Sequence, residues 1–349
     1  MRRKLVLIIV LFGLCGIAPL KAGEVTDSAG RTISVPEEVN KVFASGPPAS
    51  VLVYVLKPDA LTGWPRALRD NEKPYIAPAQ RELPELGRLT GRGDTANLEV
   101  VLKVAPDLII DFGSIRETYI SLADIVQMRT SIPYILVDGR FEATPTALRL
   151  VGNALGVSER GERLAQYTEK LFADLDATLH AIPEDQRPRV YLARGPDGLE
   201  TGLKGSINTE IIERAGGRNV ADPGDADIRR GIVQASMEQV LAANPDTIIT
   251  WDRTFFETVW NDPLWAKVDA VQKGRVYLSP LLPFGWIDRP PSLNRLIGLR
   301  WLAGIFFPEH FRQDLRAQVR EFYSMFYHVD LDEAALDTLL AGARGSRPQ

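Results

Sequence analysis

Cysteine and histidine are nearly absent from this sequence. Its one cysteine is Cys15, and its histidines are His180, His310 and His328. Cys15 falls in an expected leader, so the rest of the chain has no thiolate for disulfides, metal binding or nucleophilic chemistry. The histidines fall on predicted helices away from strand C-termini. That argues against a zinc or manganese site built from several histidines, and against a Ser-His-Asp triad, which needs a histidine in a loop above a sheet. No GxGxxG, P-loop, HExxH or GxSxG stands at a strand-to-helix turn. Gly91-Arg92-Gly93 is a GxG fragment with no strand directly before it. No catalytic residue, metal ligand or cofactor is expected. An enzyme would have to work through a carboxylate or substrate-assisted scheme that no residue pattern locates.

The first 22 residues read as a leader. Arg2, Arg3 and Lys4 form a positive region, Leu5 to Ala18 is apolar, and Leu20-Lys21-Ala22 offers a small residue at the cut. The run is short and wrongly flanked for a membrane span. Leu14 precedes Cys15 where lipid attachment wants Gly, Ala or Ser. Export to a bacterial periplasm is therefore expected. Loss of residues 1–22 removes Arg2, Arg3, Lys4 and Lys21 and no acid, which takes the formal charge from -4 to -8. An acidic exported chain argues against nucleic acid as a partner.

One stretch occurs twice. Asn97 to Asp111 reads NLEVVLKVAPDLIID, and Ser236 to Thr250 reads SMEQVLAANPDTIIT. Glu, Val, Leu, the Pro-Asp pair and the Ile-Ile pair stay in register. Asn97 and Ser236 are N-cap residues, and Glu99 and Glu238 sit near the positive helix end. Pro106 and Pro245 stop each helix. The aliphatic run that follows suits a strand buried on both faces. "Helix, Pro-Asp, strand" is common α/β punctuation, but a registered pair points to two similar lobes rather than a solenoid.

The chain then divides as follows: leader 1–22, N-terminal lobe 23–142, helical region 143–186, C-terminal lobe 187–343, disordered tail 344–349. Val25 to Val35 predicts a hairpin, Lys41 to Ser45 and Leu61 to Trp64 short strands, and Asp70 to Glu85 a polar surface loop. Ser158 to Ala181 predicts the longest helix, with Leu164, Tyr167, Leu171, Leu175 and Leu179 on one stripe. It reads as a rigid connector about 158–181, the alternative being an ordinary crossover helix. Helices are predicted over Ser292 to Phe307 and His310 to Tyr327.

Aromatic and cationic residues recur at predicted strand C-termini: Trp64 and Arg66, Arg116, Arg194, Trp251 and Arg253, Trp286 and Arg289. Ligands of open α/β sheets bind there. Guanidinium forks clamp anions and indoles supply flat apolar walls. Each arginine alone suits a surface ion pair; the set suits an anionic ligand.

Together these residues resemble a family. The duplicated NLE…PDLII and MEQ…PDTII segments, the long midpoint helix, the leader, Gly205 to Asp222 (GSINTEIIERAGGRNVAD) and Asp262 to Pro280 (DPLWAKVDAVQKGRVYLSP) are similar to periplasmic binding proteins of ABC importers for ferric siderophores, haem, cobalamin and related metal compounds. The resemblance covers nearly all of the chain after the leader. It implies an α/β fold: two doubly wound lobes joined by a single long backbone helix, with the ligand cleft between them. It implies a monomer that does no chemistry and delivers its ligand to an ABC permease dimer and its ATPase in the inner membrane, docking through Glu99 and Glu238. Phe284 to Glu309 resembles the branch of iron or haem importers, some of whose relatives bind molybdate or tungstate. The expected ligand is an iron chelate first, a molybdate-like oxyanion second, and haem third, with Tyr75 or Tyr119 as axial ligand.

Overall fold

The computed structural model describes residues 23–91, 97–221, 231–343 and 345. The expected leader, the tail apart from Gly345, and Arg92 and Gly93 of the GxG fragment lie outside the described residues.

A hairpin of β1 (Gly23–Thr26) and β2 (Thr32–Val35) opens the fold. The buried Asp27 carboxylate closes its turn, accepting from the N–H groups of Ala29 and Arg31 at 2.9 and 3.0 Å. It also accepts from Leu136 N–H at 3.1 Å, which fastens the hairpin to the sheet behind it. That sheet is parallel: β3 (Val42–Ala44), β4 (Leu108–Gly113) and β5 (Tyr134–Asp138), in the order β3-β4-β5. Alternate residues feed two cores. Leu108, Ile110, Ile135 and Val137 pack with α1 (Pro47–Leu56). Ile109, Tyr134 and Leu136 pack under α2 (Leu98–Val104) and α3 (Glu117–Thr130). Helices on both faces make the lobe doubly wound.

Two helices lead away from it. α4 (Thr144–Ala154) and α5 (Ser158–Leu179) meet backbone to backbone at Gly152 and Gly161. A Cβ on Gly161 would stand 2.6 Å from the Leu148 carbonyl oxygen, so only glycine permits this approach. The buried stripe of α5 carries Leu164, Leu171, Leu175 and Leu179, with Tyr167 half-buried. At the start of α5, Arg160 Nε donates to Val55 O in α1 at 2.8 Å. Near its other end, Asp176 accepts from Arg214 at 2.7 Å. Arg214 closes α6 (Glu210–Arg214) of the second lobe, so α5 touches both lobes.

The second sheet is also parallel, in the order β11-β10-β6-β8. It comprises β6 (Arg189–Ala193), β8 (Arg218–Asn219), β10 (Thr247–Thr250) and β11 (Val276–Leu278), while β7 (Glu200–Gly202) and β9 (Ile232–Gln234) form a separate antiparallel pair. One face holds Val190, Leu192 and Ile249 with α6 and α10 (Arg295–Phe306). The other holds Tyr191, Ile248 and Val276 with α7 (Met237–Ala243) and α8 (Arg253–Thr258). The short α9 (Asp269–Gln272) precedes β11. α11 (Leu315–Tyr327) and α12 (Glu333–Leu340) end the fold.

The repeated stretch folds alike in both lobes. The Asn97 side chain caps α2, and Ser236 caps α7 in a full capping box with Gln239. Ala105 and Asn244 turn each helix off in the left-handed region, at φ 47° and 36°. The Pro-Asp aspartate then has one job twice. Asp107 Oδ2 accepts from Lys41 N–H at 2.8 Å, and Asp246 Oδ2 accepts from Arg189 N–H at 2.9 Å. Each carboxylate ties its strand to the start of the neighbouring strand.

Three readings need correction. Asp70 to Glu85 is not a plain surface loop: Glu72, Tyr75, Ile76 and Gln80 are buried within short 3-10 turns. Leu61 to Trp64 makes single bridges only, to Val42 and Glu85. The last helices return to the first lobe, where the Tyr54 hydroxyl donates to Tyr327 O and Tyr75 Oη donates to Ala335 O at 2.8 Å. α11 packs on α1 as well as on α10, and α12 was not legible in the sequence.

A buried arginine joins the lobes. Arg295 in α10 is fully buried and donates to Gly139 O at the end of β5 (2.8 Å), to Ile207 O (3.0 Å) and to Glu210 Oε1 (2.6 Å). The same Glu210 oxygen accepts from Phe141 N–H at 2.8 Å. Breaking a buried pair leaves an uncompensated charge and costs about 3–5 kcal/mol. Glu210→Gln should therefore lower unfolding stability by roughly 3 kcal/mol; a urea titration showing less than about 1 kcal/mol would remove the joint's importance.

A second buried group makes stability depend on pH. His328 Nε2 lies 3.2 Å from Arg160 Nη2 and 3.2 Å from Val55 O. Burial, and then Arg160, hold its pKa below the usual histidine range. Between that lowered value and the unfolded value of about 6.5, the unfolded chain binds more protons. Stability should thus fall as pH drops below about 6.5. His328→Gln should flatten this slope in unfolding titrations between about pH 7 and 5; an unchanged slope would assign the pH dependence elsewhere.

Candidate functional site

Arg194 directly follows β6 and Trp251 directly follows β10, and both meet the loop that carries Asp288 and Arg289. Arg194 is nearly buried between two carboxylates: Nε donates to Glu200 Oε1 at 2.9 Å, and Nη1 pairs with the buried Asp288. Arg289 O accepts from Gly285 N–H at 2.7 Å, which folds the loop tightly. The Arg289 guanidinium then lies over the Trp251 indole, 4.0 Å from the ring centroid, and Arg194 lies 5.2 Å from the same ring. An indole face attracts cations, more so where water is excluded.

The two stacked arginines differ in charge balance. Arg194 has its carboxylates. Arg289 makes no ion pair among the described residues. Burial pushes its pKa below the usual arginine range, the charges of Arg69 and Arg66 push it further, and Asp252 and Glu72 oppose them. Arg66 and Arg69 belong to the first lobe, so like charges of one lobe act on a guanidinium of the other. Such an arrangement gains by admitting an anion.

Arg66 itself is exposed and forked onto Glu72, with Nη1–Oε2 at 2.8 Å and Nη2–Oε1 at 2.6 Å. The hydrogen bonds it donates to Glu72 hold its pKa above the usual range. Arg69 is exposed, and its backbone N–H donates to Glu72 Oε2 at 2.8 Å. Sequence reasoning missed Arg69 because no predicted strand end marks it. Its spacing of three from Arg66 in Arg66-Ala67-Leu68-Arg69 was the available signal.

Several expected residues lie elsewhere. Trp64 and Trp286 are core residues, not cleft walls. The Trp64 indole N–H donates to Gln80 O at 2.8 Å, and its ring packs on Tyr54 and Phe284. The Trp286 N–H meets Tyr323 Oη at 3.3 Å, and its ring packs against Trp301. Tyr75 is buried with its hydroxyl spent on Ala335, which corrects its assignment as a ligand residue. Tyr119 is half-buried on α3 against the first lobe's core. Arg116 is exposed at the N-cap of α3. Arg253 is exposed at the first residue of α8, 3.8 Å from Glu257 one turn on. Glu99 and Glu238 are both exposed in the first turns of α2 and α7.

Among the described residues, no group of three or more His, Cys, Asp and Glu is placed to hold a metal ion. No helix of the described residues is long and apolar enough to cross a membrane.

A family model described as "Periplasmic binding protein" matches residues 53–280. The chain belongs to that family, whose members serve ABC importers made of a permease and an ATPase. The molybdate-binding protein MolA of Haemophilus influenzae is 26% identical, covering 94% of this chain and 97% of its own length. The Fe(3+)-citrate-binding protein YfmC of Bacillus subtilis is 27% identical over 54% of this chain and 58% of its own. A solved ABC transporter solute binding protein from Sulfurospirillum deleyianum is 30% identical, covers 91% of this chain and 99% of its own, and superposes with a TM-score of 0.82. These relatives are binding proteins rather than enzymes.

Trp251 is the one expected cleft tryptophan that keeps solvent access. An anion entering beside Arg289 should therefore change the fluorescence of Trp251 alone. The change should vanish in Trp251→Phe and persist when Trp64 or Trp286 is replaced by Phe. A signal that survives Trp251→Phe would place the anion elsewhere.

Proposed function

We propose that this protein captures a small metal-containing anion in the cleft between its lobes and hands it to the permease of an ABC importer in the inner membrane. The observation that carries this reading is Arg289, lying over Trp251, without an ion pair among the described residues, and within electrostatic reach of Arg66 and Arg69. A guanidinium already satisfied by a carboxylate would need no ligand. One pressed by like charges is stabilised when an anion arrives.

The leading ligand class is a molybdate-like oxyanion, and ferric citrate is second. Similarity to a molybdate-binding protein along nearly the whole of both chains supports the first. Similarity to a ferric-citrate-binding protein along about half of each supports the second. This reverses the order expected from the sequence. Haem drops out as an argued ligand, because its better-placed tyrosine, Tyr75, is buried and hydrogen-bonded. Calorimetric titration with molybdate, tungstate and ferric citrate tests the reading. At least one oxyanion should bind, and Arg289→Ala should weaken it about ten- to a hundredfold, the loss of one charged hydrogen-bonded contact. Binding of ferric citrate alone would reverse the ranking, and binding of none would overturn the anion reading.

Glu99 and Glu238 are proposed as the docking carboxylates, one per lobe. Each helix already has its cap, Asn97 or Ser236. The local electrostatic role near a helix N-terminus is worth about 0.3–1 kcal/mol, which many residues could supply. Exposed charges of this kind tune encounter rate and salt dependence. The double variant Glu99→Ala/Glu238→Ala should keep ligand affinity and lose transport in reconstituted vesicles, with either single change milder. Normal transport by the double variant would leave only the helix-dipole role.

A further inference from the structure

Glu72 is among the few buried acids of the first lobe, and it lies in a stretch that reads from sequence as a polar loop. Its side chain is 5% exposed. Its carboxylate is fully engaged: Arg66 Nη2 donates to Oε1 at 2.6 Å, Arg66 Nη1 donates to Oε2 at 2.8 Å, and Arg69 N–H donates to Oε2 at 2.8 Å. Arg66 Nη1 also donates to Ala67 O at 2.9 Å. This folds residues 66–69 around one buried acid. The terminal edge of the Arg66 fork, the edge that grips anions bidentately, is occupied. A ligand could take that edge only by stripping Glu72 of its partner, which leaves a buried carboxylate unpaired. The Arg69 side chain, by contrast, makes no ion pair or side-chain hydrogen bond among the described residues. It is presented by a turn whose backbone Glu72 holds.

We propose that Glu72 is a positioning residue of the anion site: by holding the Arg66 fork and the Arg69 backbone, it makes Arg69, rather than Arg66, the first lobe's anion contact opposite Arg289. This rests on the anion reading above. The division of labour follows from hydrogen-bond geometry. Arg66 supplies structure and background potential, while Arg69 and Arg289 supply one uncommitted guanidinium from each lobe. A doubly charged anion with oxygens on opposite sides can engage both at once. The depressed pKa of Arg289, to which Arg69 contributes more than Arg66, agrees with this placement.

Two probes separate this inference from the functional reading. The first is affinity for molybdate and tungstate. The second is collisional quenching of Trp251 fluorescence by iodide, isolated as the component lost in Trp251→Phe. Iodide reports local positive potential whatever the natural ligand is. Arg69→Ala should weaken oxyanion binding about tenfold or more and lower the iodide component, as Arg289→Ala does. Arg66→Ala should change both less than Arg69→Ala. Glu72→Gln should weaken oxyanion binding in the direction of Arg69→Ala, because the turn loses its anchor. A larger loss from Arg66→Ala than from Arg69→Ala would overturn the proposal, as would tighter binding in Glu72→Gln through a freed Arg66. If neither oxyanion nor ferric citrate binds the unaltered protein, the functional reading falls and the iodide order alone decides the positioning role. Both arginines are exposed, so their variants decide the matter even if Glu72→Gln does not fold.

Discussion

The two lobes sit against each other in their observed form because one fully buried arginine joins them. Arg295 reaches from α10 to the end of β5 in one lobe and to α6 in the other, and Glu210 neutralises it. Its ring neighbour is Phe141, 4.8 Å away. A buried ion pair of this kind is weak evidence for stability, since desolvation offsets its attraction. It is better suited to fixing register. The carbonyls it binds lie at the C-terminal end of a first-lobe strand and beside a second-lobe helix. A shift between the lobes would strand a charge in the interior. Ser292 adds a smaller tie, donating to Pro48 O at the start of α1 at 2.8 Å. With this joint made and α5 bracing both lobes, Arg289 is kept within electrostatic reach of Arg66 and Arg69.

That constraint explains which parts of the fold were legible in the sequence. The duplicated helix-strand unit was readable because every step in it is local: a cap, a stop and a buried strand. Even its Pro-Asp pair carries one physical role twice, stapling adjacent strands through Asp107 and Asp246. The repeat itself pointed to two lobes and the long apolar stripe over Ser158 to Ala181 to a connector; the resemblance added a ligand cleft between the lobes. What escaped was long-range. Nothing within α12 says that Ala335 O will receive the Tyr75 hydroxyl from 260 positions away. Arg295 reads as an ordinary helix residue until the first lobe is folded against it.

The site was half legible for a related reason. The strand C-terminus rule singled out Arg194, Trp251 and Arg289, which the fold brings to one indole. The same rule also selected Trp64 and Trp286, whose indoles turn inward because each N–H has an internal acceptor, Gln80 O or Tyr323 Oη. Sequence position fixes where a backbone ends, but partner availability fixes where the ring goes. Arg66 and Arg69 show the same effect with charge. Three positions apart, they are told apart only by the buried Glu72, which lies in a segment with no regular helix or strand to announce it.

The placement of charge also separates two kinds of ionisable group. Two groups held off their usual range mainly by burial sit in the scaffold. Asp111 is held up by burial and bonded to the Thr90 hydroxyl at 3.1 Å, and His328 is held down between two helices. The proposed anion site relies on arginines, which stay charged at any ordinary pH. Arg66 and Arg69 reach solvent, so their attraction for an anion is screened by salt over a Debye length of about 8–10 Å. pH therefore acts on this molecule through the joints that hold the lobes, and ionic strength acts through the cleft. A change in affinity with acid would report on α1 and its neighbours rather than on the groups that touch the ligand.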